Sequence, residues 1–108
     1  MNPTIAAITE LFDRIPRRHT SDNVKDIYSI ISSYEDILIN IEAQNPFYEK
    51  NSSLFFEQLD TIKSIIKKST DNKASKKNKD SFFDEASGAL KDNMQALMEL
   101  YADGNRIA

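Results

Sequence analysis

The chain has 108 residues, 40% hydrophobic and 29% charged, proportions that suit one small globular unit and exclude wholesale disorder. It has no cysteine, which excludes a disulfide framework and thiolate metal sites. The net charge of −3 is unevenly spread: residues 67–79 hold six lysines and Asp71, a local +5 that leaves −8 on the remainder.

Two glycines and three prolines are too few turn signals for a many-stranded protein, so the apolar pattern is read for helices. Asn2 suits an N-cap and Pro3 a first helical residue, where a missing N–H costs nothing. Ile5, Ile8, Phe12 and Ile15 then share a face, with Leu11 beside them, predicting a helix over 3–15 that Pro16 stops. This segment carries acids within its apolar stretch and has no basic leader, unlike a cleavable signal peptide.

In the polar turn "RRHTSD", Thr20 or Ser21 can cap a second helix. Val24, Ile27, Tyr28, Ile31, Tyr34, Leu38 and Ile41 recur at spacings of three and four, with Ile30 and Ile37 widening the stripe, and predict a helix over 22–44. The isoleucines lower helix propensity, but alternation at period two is absent. The longest aliphatic run, Ile37-Leu38-Ile39, falls far short of the roughly 20 residues that a spanning helix requires.

"QNPFYEKNSS" is expected to break the chain before a third helix over 53–68, whose row is Phe55, Leu59, Ile62 and Ile66, joined by Leu54, Phe56 and Ile65. The alternative start is Pro46, capped by Asn45. Lys67 and Lys68 suit the negative end of that helix dipole. Residues 69–80 are expected to form a flexible lysine-rich loop, long enough to let the fourth helix cross the bundle or pair with another chain.

Ser81 would cap a fourth helix over 81–103, with Asp84 and Glu85 in its first turn and Phe83, Ala86, Leu90, Met94, Leu97 and Tyr101 on one face. Phe82, Met98 and Leu100 lie beside that row, Gly88 suggests close helix packing, and Gly104 a left-handed stop. The expected fold is all-α: a small antiparallel bundle of about four helices in one helical domain, 1–108. Helices of unequal length would leave apolar ends open to a partner or a second copy.

No Gly-x-Ser-x-Gly setting and no phosphate loop occur, and the single histidine, His19, sits in a polar turn. The carboxylate pairs Glu35-Asp36, Asp84-Glu85 and Asp22/Asp26 read as solvated faces or dipole-matching first turns. The expectation is therefore a protein that is not an enzyme and takes no cofactor or metal. Lys67, Lys68, Lys73, Lys76, Lys77 and Lys79 form the candidate basic site. With no arginine or aromatic residue within 67–79 and an acidic remainder, a solvated connection is expected there and nucleic acid is disfavoured.

Tyr28, Tyr34, Tyr48, Tyr101 and the Phe47-Tyr48 pair are residue types that interfaces favour. Phe47-Tyr48 suits either a plug over the bundle end or a contact for a partner. The functional expectation is a protein-binding module of chaperone, adaptor or immunity-type inhibitor kind in the cytoplasm. Its candidate contacts are Glu35, Asp36, Ile39, Glu42, Phe47 and Tyr48. A self-assembling helical subunit, for instance a homodimer, is the alternative, followed by a nucleic-acid accessory protein.

Overall fold

In the computed structural model, which describes the backbone of residues 3–107 and the side chains of residues 3–102, four helices follow one another and no strand occurs among the described residues. They are α1 (Pro3–Arg14), α2 (Ser21–Glu42), α3 (Pro46–Ser69) and α4 (Lys76–Ile107). The expected cap Asn2 lies outside the described residues.

Local chemistry sets the starts. Thr20 Oγ1 accepts from the Asn23 N–H at 3.0 Å and caps α2. Asn45 Oδ1 accepts from the Tyr48 N–H at 3.0 Å, with Pro46 at the first helical position, so α3 opens at Pro46 rather than near residue 53. Its C-terminal turn carries Lys67 and Lys68, as the dipole favours.

The largest departure from expectation is at the lysine-rich stretch. Helix α4 begins at Lys76, not Ser81, because Ser75 Oγ accepts from the Asn78 N–H at 3.2 Å. Three lysines in a first turn oppose the dipole, but lysine is a good helix former. The connection therefore shrinks to residues 70–75. It is also hydrogen-bonded: Asp71 Oδ1 accepts from the Lys73 N–H at 2.9 Å, and the Asp71 carbonyl from the Ala74 N–H at 3.1 Å. Of the six lysines only Lys73 is in the connection; Lys67 and Lys68 belong to α3, and Lys76, Lys77 and Lys79 to α4. A six-residue turn returns α4 alongside α3 and does not carry it across the bundle.

The helices form a ring in which α1 packs on α2 and α4, and α3 on α2 and α4, with α3–α4 the most extensive contact. Tyr48 meets Tyr101 while Lys68 meets Phe82, Ser52 meets Glu42 while Lys63 meets Glu35, and Thr9 meets Met98 while Phe12 meets Lys91, so each of these neighbouring pairs runs antiparallel. The rows expected for α3 and α4 are buried throughout, from Phe55 to Ile66 and from Phe83 to Tyr101. In α2 the buried set includes Ile30, while Tyr28 turns out to solvent. Its stripe is wide because α2 touches α1 and α3 and also reaches α4 through Tyr34.

Helix α1, at 12 residues, is much shorter than α4, at 32. It is seated by Ile8 and Leu11, with buried Ile15 just past its end, and Lys91 of α4 lies over the Phe12 ring at 5.5 Å. Beyond α1 the chain runs on along α4, fixed where Ser87 Oγ donates to the Pro16 carbonyl at 3.0 Å.

Both glycine expectations fail. Gly88 is exposed, with nothing within 4 Å of where a Cβ would stand, so no neighbouring helix uses the missing side chain. Helix α4 also runs through Gly104 to Ile107, since glycine accepts the right-handed conformation as well as the left-handed one. Because Gly88 lies inside a helix with open space around it, Gly88→Ala should stabilise the fold by about 0.5–1 kcal/mol. Denaturant unfolding should show this as a higher midpoint at unchanged slope.

Candidate functional site

Two surfaces stand out, and both are made by α4. The first is the groove between α3 and α4, a cleft of about 450 Å³ lined by Gln58, Thr61, Ile62, Ile65, Ala89, Asp92, Asn93 and Ala96. On its α4 side Ala89 and Ala96 alternate with Asp92 and Asn93, and the small alanine side chains leave room for another chain to approach. Leu54 lies one turn before Gln58 on the same helix face and is 57% exposed, the most exposed large apolar side chain among the described residues. Along the outer border of α4, Glu85, Asp92 and Glu99 recur every seven residues and are all exposed.

Behind this groove is a buried polar cluster that ties three helices together. Tyr34 Oη of α2 donates to Asn93 Oδ1 of α4 at 2.6 Å, and Asn93 Nδ2 donates to Gln58 Oε1 of α3 at 2.8 Å. Tyr34 and Asn93 are nearly inaccessible, and no buried side-chain polar atom among the described residues lacks a partner. Burial pushes the Tyr34 phenol far above its ordinary pKa, so it stays protonated and keeps donating.

The second surface is the end of the bundle where α2 and α4 begin and α3 ends. The fold brings Arg17, Arg18 and Lys25 to the same end as Lys67, Lys68, Lys73, Lys76, Lys77 and Lys79. These nine bases stand against five acids, Asp22, Asp26, Asp71, Asp80 and Asp84. Segments 17–26 and 67–84 thus carry +4, and the rest of the chain −7 of the total −3. A cleft of about 660 Å³ opens here between Arg17, Arg18, Lys76 and Lys77, with Asp80 and Asp84 on its wall. His19 is tucked beneath it, its Nδ1 3.3 Å from Asp80 Oδ1 and its ring 5.5 Å from the Phe83 ring. Sequence reading found the lysines and missed Arg17, Arg18 and Lys25, about 50 residues upstream of them, because no local signal joins the two segments.

The six candidate contacts fall in different places. Asp36 is exposed, and Ile39, at 55% exposure, lines a cleft of about 510 Å³ with Glu42, Pro46 and Glu49. Glu42 is half-buried and accepts from Ser52 Oγ at 2.9 Å, and Glu35 is ion-paired with Lys63 Nζ at 2.8 Å across the α2–α3 seam. Both are therefore engaged within the fold. Phe47 is half-buried and packs against the core. Tyr48 is buried, stacked on Tyr101 at 5.2 Å between ring centroids, and its hydroxyl donates to the Tyr101 carbonyl at 3.0 Å. It plugs the bundle end and presents no surface to a partner, because Pro46 starts α3 early enough to turn this ring inward. Burial, with a contribution from neighbouring Tyr101, raises its phenol pKa.

Among the described residues no three His, Cys, Asp or Glu side chains group as a metal site, and no helix is long and apolar enough to cross a membrane. No protein-family model, no curated protein and no solved structure matches the chain.

Removing the Tyr34 hydroxyl leaves the buried Asn93 Oδ1 without its donor, so Tyr34→Phe should cost about 1–3 kcal/mol of stability in denaturant unfolding. The same variant tests the phenol. A group whose folded pKa lies above the unfolded value of 10.0 stabilises fully below that pH, and its contribution is lost as pH rises beyond it. Unfolding free energy should therefore fall above about pH 10 in the native chain, and fall less steeply in Tyr34→Phe.

Proposed function

We propose that the chain is a non-enzymatic protein-binding module whose α3–α4 groove receives an amphipathic helix from a partner protein. The observation that carries this reading is the pairing of an open apolar groove with the exposed acidic row Glu85, Asp92 and Glu99 along one border. A helix laid in the groove would set its apolar residues at spacings of three and four against Ile65, Leu54 and the alanines. Its lysines or arginines, recurring every seven residues, would meet the three carboxylates.

The apolar contact supplies holding strength and the charges supply register and encounter rate. A chaperone, adaptor or immunity-type inhibitor acts by engaging a segment of another protein in this way, with no chemistry at the site. Asp36 and the Ile39 cleft, on α2, supply a further acidic contact for a partner that extends beyond the groove. The alternative, self-assembly, would place a helix of a second copy in the same groove.

The test uses a labelled amphipathic peptide with leucines on one face and lysines every seven residues, followed by fluorescence anisotropy. Ala96→Arg, which fills the exposed groove edge, and Asp92→Lys should each weaken binding by about tenfold or more, with far-ultraviolet circular dichroism unchanged. Equal affinity of the native chain and Ala96→Arg would refute the groove as the site. Concentration-dependent association in sedimentation that Ala96→Arg abolishes would identify a second copy as the occupant.

A further inference from the structure

We infer that the basic end of the bundle is a docking surface for an anionic lipid bilayer, on which the molecule stands with its long axis away from the membrane plane. The inference rests on tertiary gathering of charge and is independent of the α3–α4 groove. Three segments remote in sequence converge there: the α1–α2 connection with Arg17 and Arg18, the end of α3, and the start of α4 with Lys76 and Lys77.

Geometry distinguishes a bilayer from other polyanions. The molecule measures 49 × 25 × 17 Å, and the helices run along the long dimension, so this end is a blunt face of helix tips and two connections. A flat anionic plane meets such a face over its whole area at once. Duplex grooves instead take a helix flank or a β-ribbon, and the basic end presents neither. Single strands need exposed aromatic platforms; here Phe83 is buried, and Phe82 is half-buried with Lys68 Nζ 5.9 Å from its ring centroid.

The cation chemistry agrees. Seven of the nine bases at this end are lysines, point charges on mobile stems that suit a diffuse surface potential better than a fixed bidentate partner. Lipid headgroups also tolerate the imperfect patch, in which Asp80 and Asp84 share the cleft with the bases. The acidic remainder is distributed along the 49 Å axis, beyond one Debye length of about 8 Å at physiological salt from this end, so screening weakens its repulsion. Among the described residues of segments 17–26 and 67–84 no large apolar side chain is exposed, so attachment is electrostatic and reversible.

Vesicle co-sedimentation with the full chain tests the proposal. Vesicles containing roughly one-third phosphatidylserine should bind it at about 0.05 M salt and release it at about 0.5 M, while pure phosphatidylcholine vesicles should not bind. Each lysine or arginine near the surface contributes roughly fivefold to partitioning, so Arg17→Gln, Lys76→Gln and Lys77→Gln combined should lower it by about a hundredfold. All three positions are exposed, and unchanged thermal unfolding would show that the fold is retained. Lys50→Gln, on an exposed position near the opposite end, should have little effect. The proposal is overturned if phosphatidylserine vesicles fail to bind at low salt, or if Lys50→Gln weakens binding as much as the triple variant. Tighter binding of duplex or single-stranded nucleic acid than of vesicles at equal salt would also overturn it, in favour of a nucleic-acid surface.

Discussion

Among the described residues Asn93 is the one buried carboxamide, and both ends of that amide are committed. Its oxygen takes the Tyr34 hydroxyl of α2 and its nitrogen gives to Gln58 of α3. Leucine, isoleucine and methionine repeating at the helical period would let α4 slide along its neighbours with modest loss, since cores of the right volume and pattern tolerate rearrangement. A slide of one turn, about 5.4 Å, would instead strand a phenol and an amide inside the bundle. The axial position of α4 is thereby set, and the other surfaces depend on it. Ala89 and Ala96 share one cleft with Thr61 and Ile65, and Lys76 and Lys77 share another with Arg17 and Arg18, only in that register.

Helix α4 divides its charge by length. Its first turn is cationic and contributes to the basic end, and the exposed border that follows is anionic through Glu85, Asp92 and Glu99. The same segregation runs through the molecule, because the α1–α2 connection and the end of α3 add bases at the end where α4 begins. The acids of the long helix flanks are spread out. A small net charge of −3 therefore conceals a large charge separation. The groove and the basic end differ accordingly in what they could recognise: one offers apolar depth with a negative border, the other a positive blunt face without exposed apolar anchors.

Helix identity and the buried faces were legible in the sequence because burial follows the helical period closely. Phe83, Ala86, Leu90, Met94, Leu97 and Tyr101 are buried as their spacing requires, and so are Phe55, Leu59, Ile62 and Ile66. The start of α4 was misread because six lysines suggest solvation, whereas a solvated helix satisfies the same composition once Ser75 caps it. Tyr48 stayed open between a plug and a partner contact for the related reason that Asn45-Pro46 supports both a break and a helix start. What no local pattern holds is long-range pairing. Tyr34 and Asn93 lie 59 positions apart, and nothing near Arg17 and Arg18 announces the lysines they join. Gly88 was misread because a helical glycine carries no mark of whether a neighbour fills its space.

The short hydrogen-bonded connection at 70–75 also bears on how the chain reaches this structure. It joins the two helices with the most extensive mutual contact, so the α3–α4 hairpin closes at a small loop entropy and gains much of its packing from residues near in sequence. Helix α1 is in the opposite position. It has 12 residues, and its contacts with α4 join the two ends of the chain. Such an element condenses onto a hairpin already formed and is the natural first unit to detach in partial opening. Its departure would uncover the side of α4 around Lys91 and Met98 that Phe12 and Thr9 now cover, facing away from the groove, and would leave the α3–α4 pair in contact.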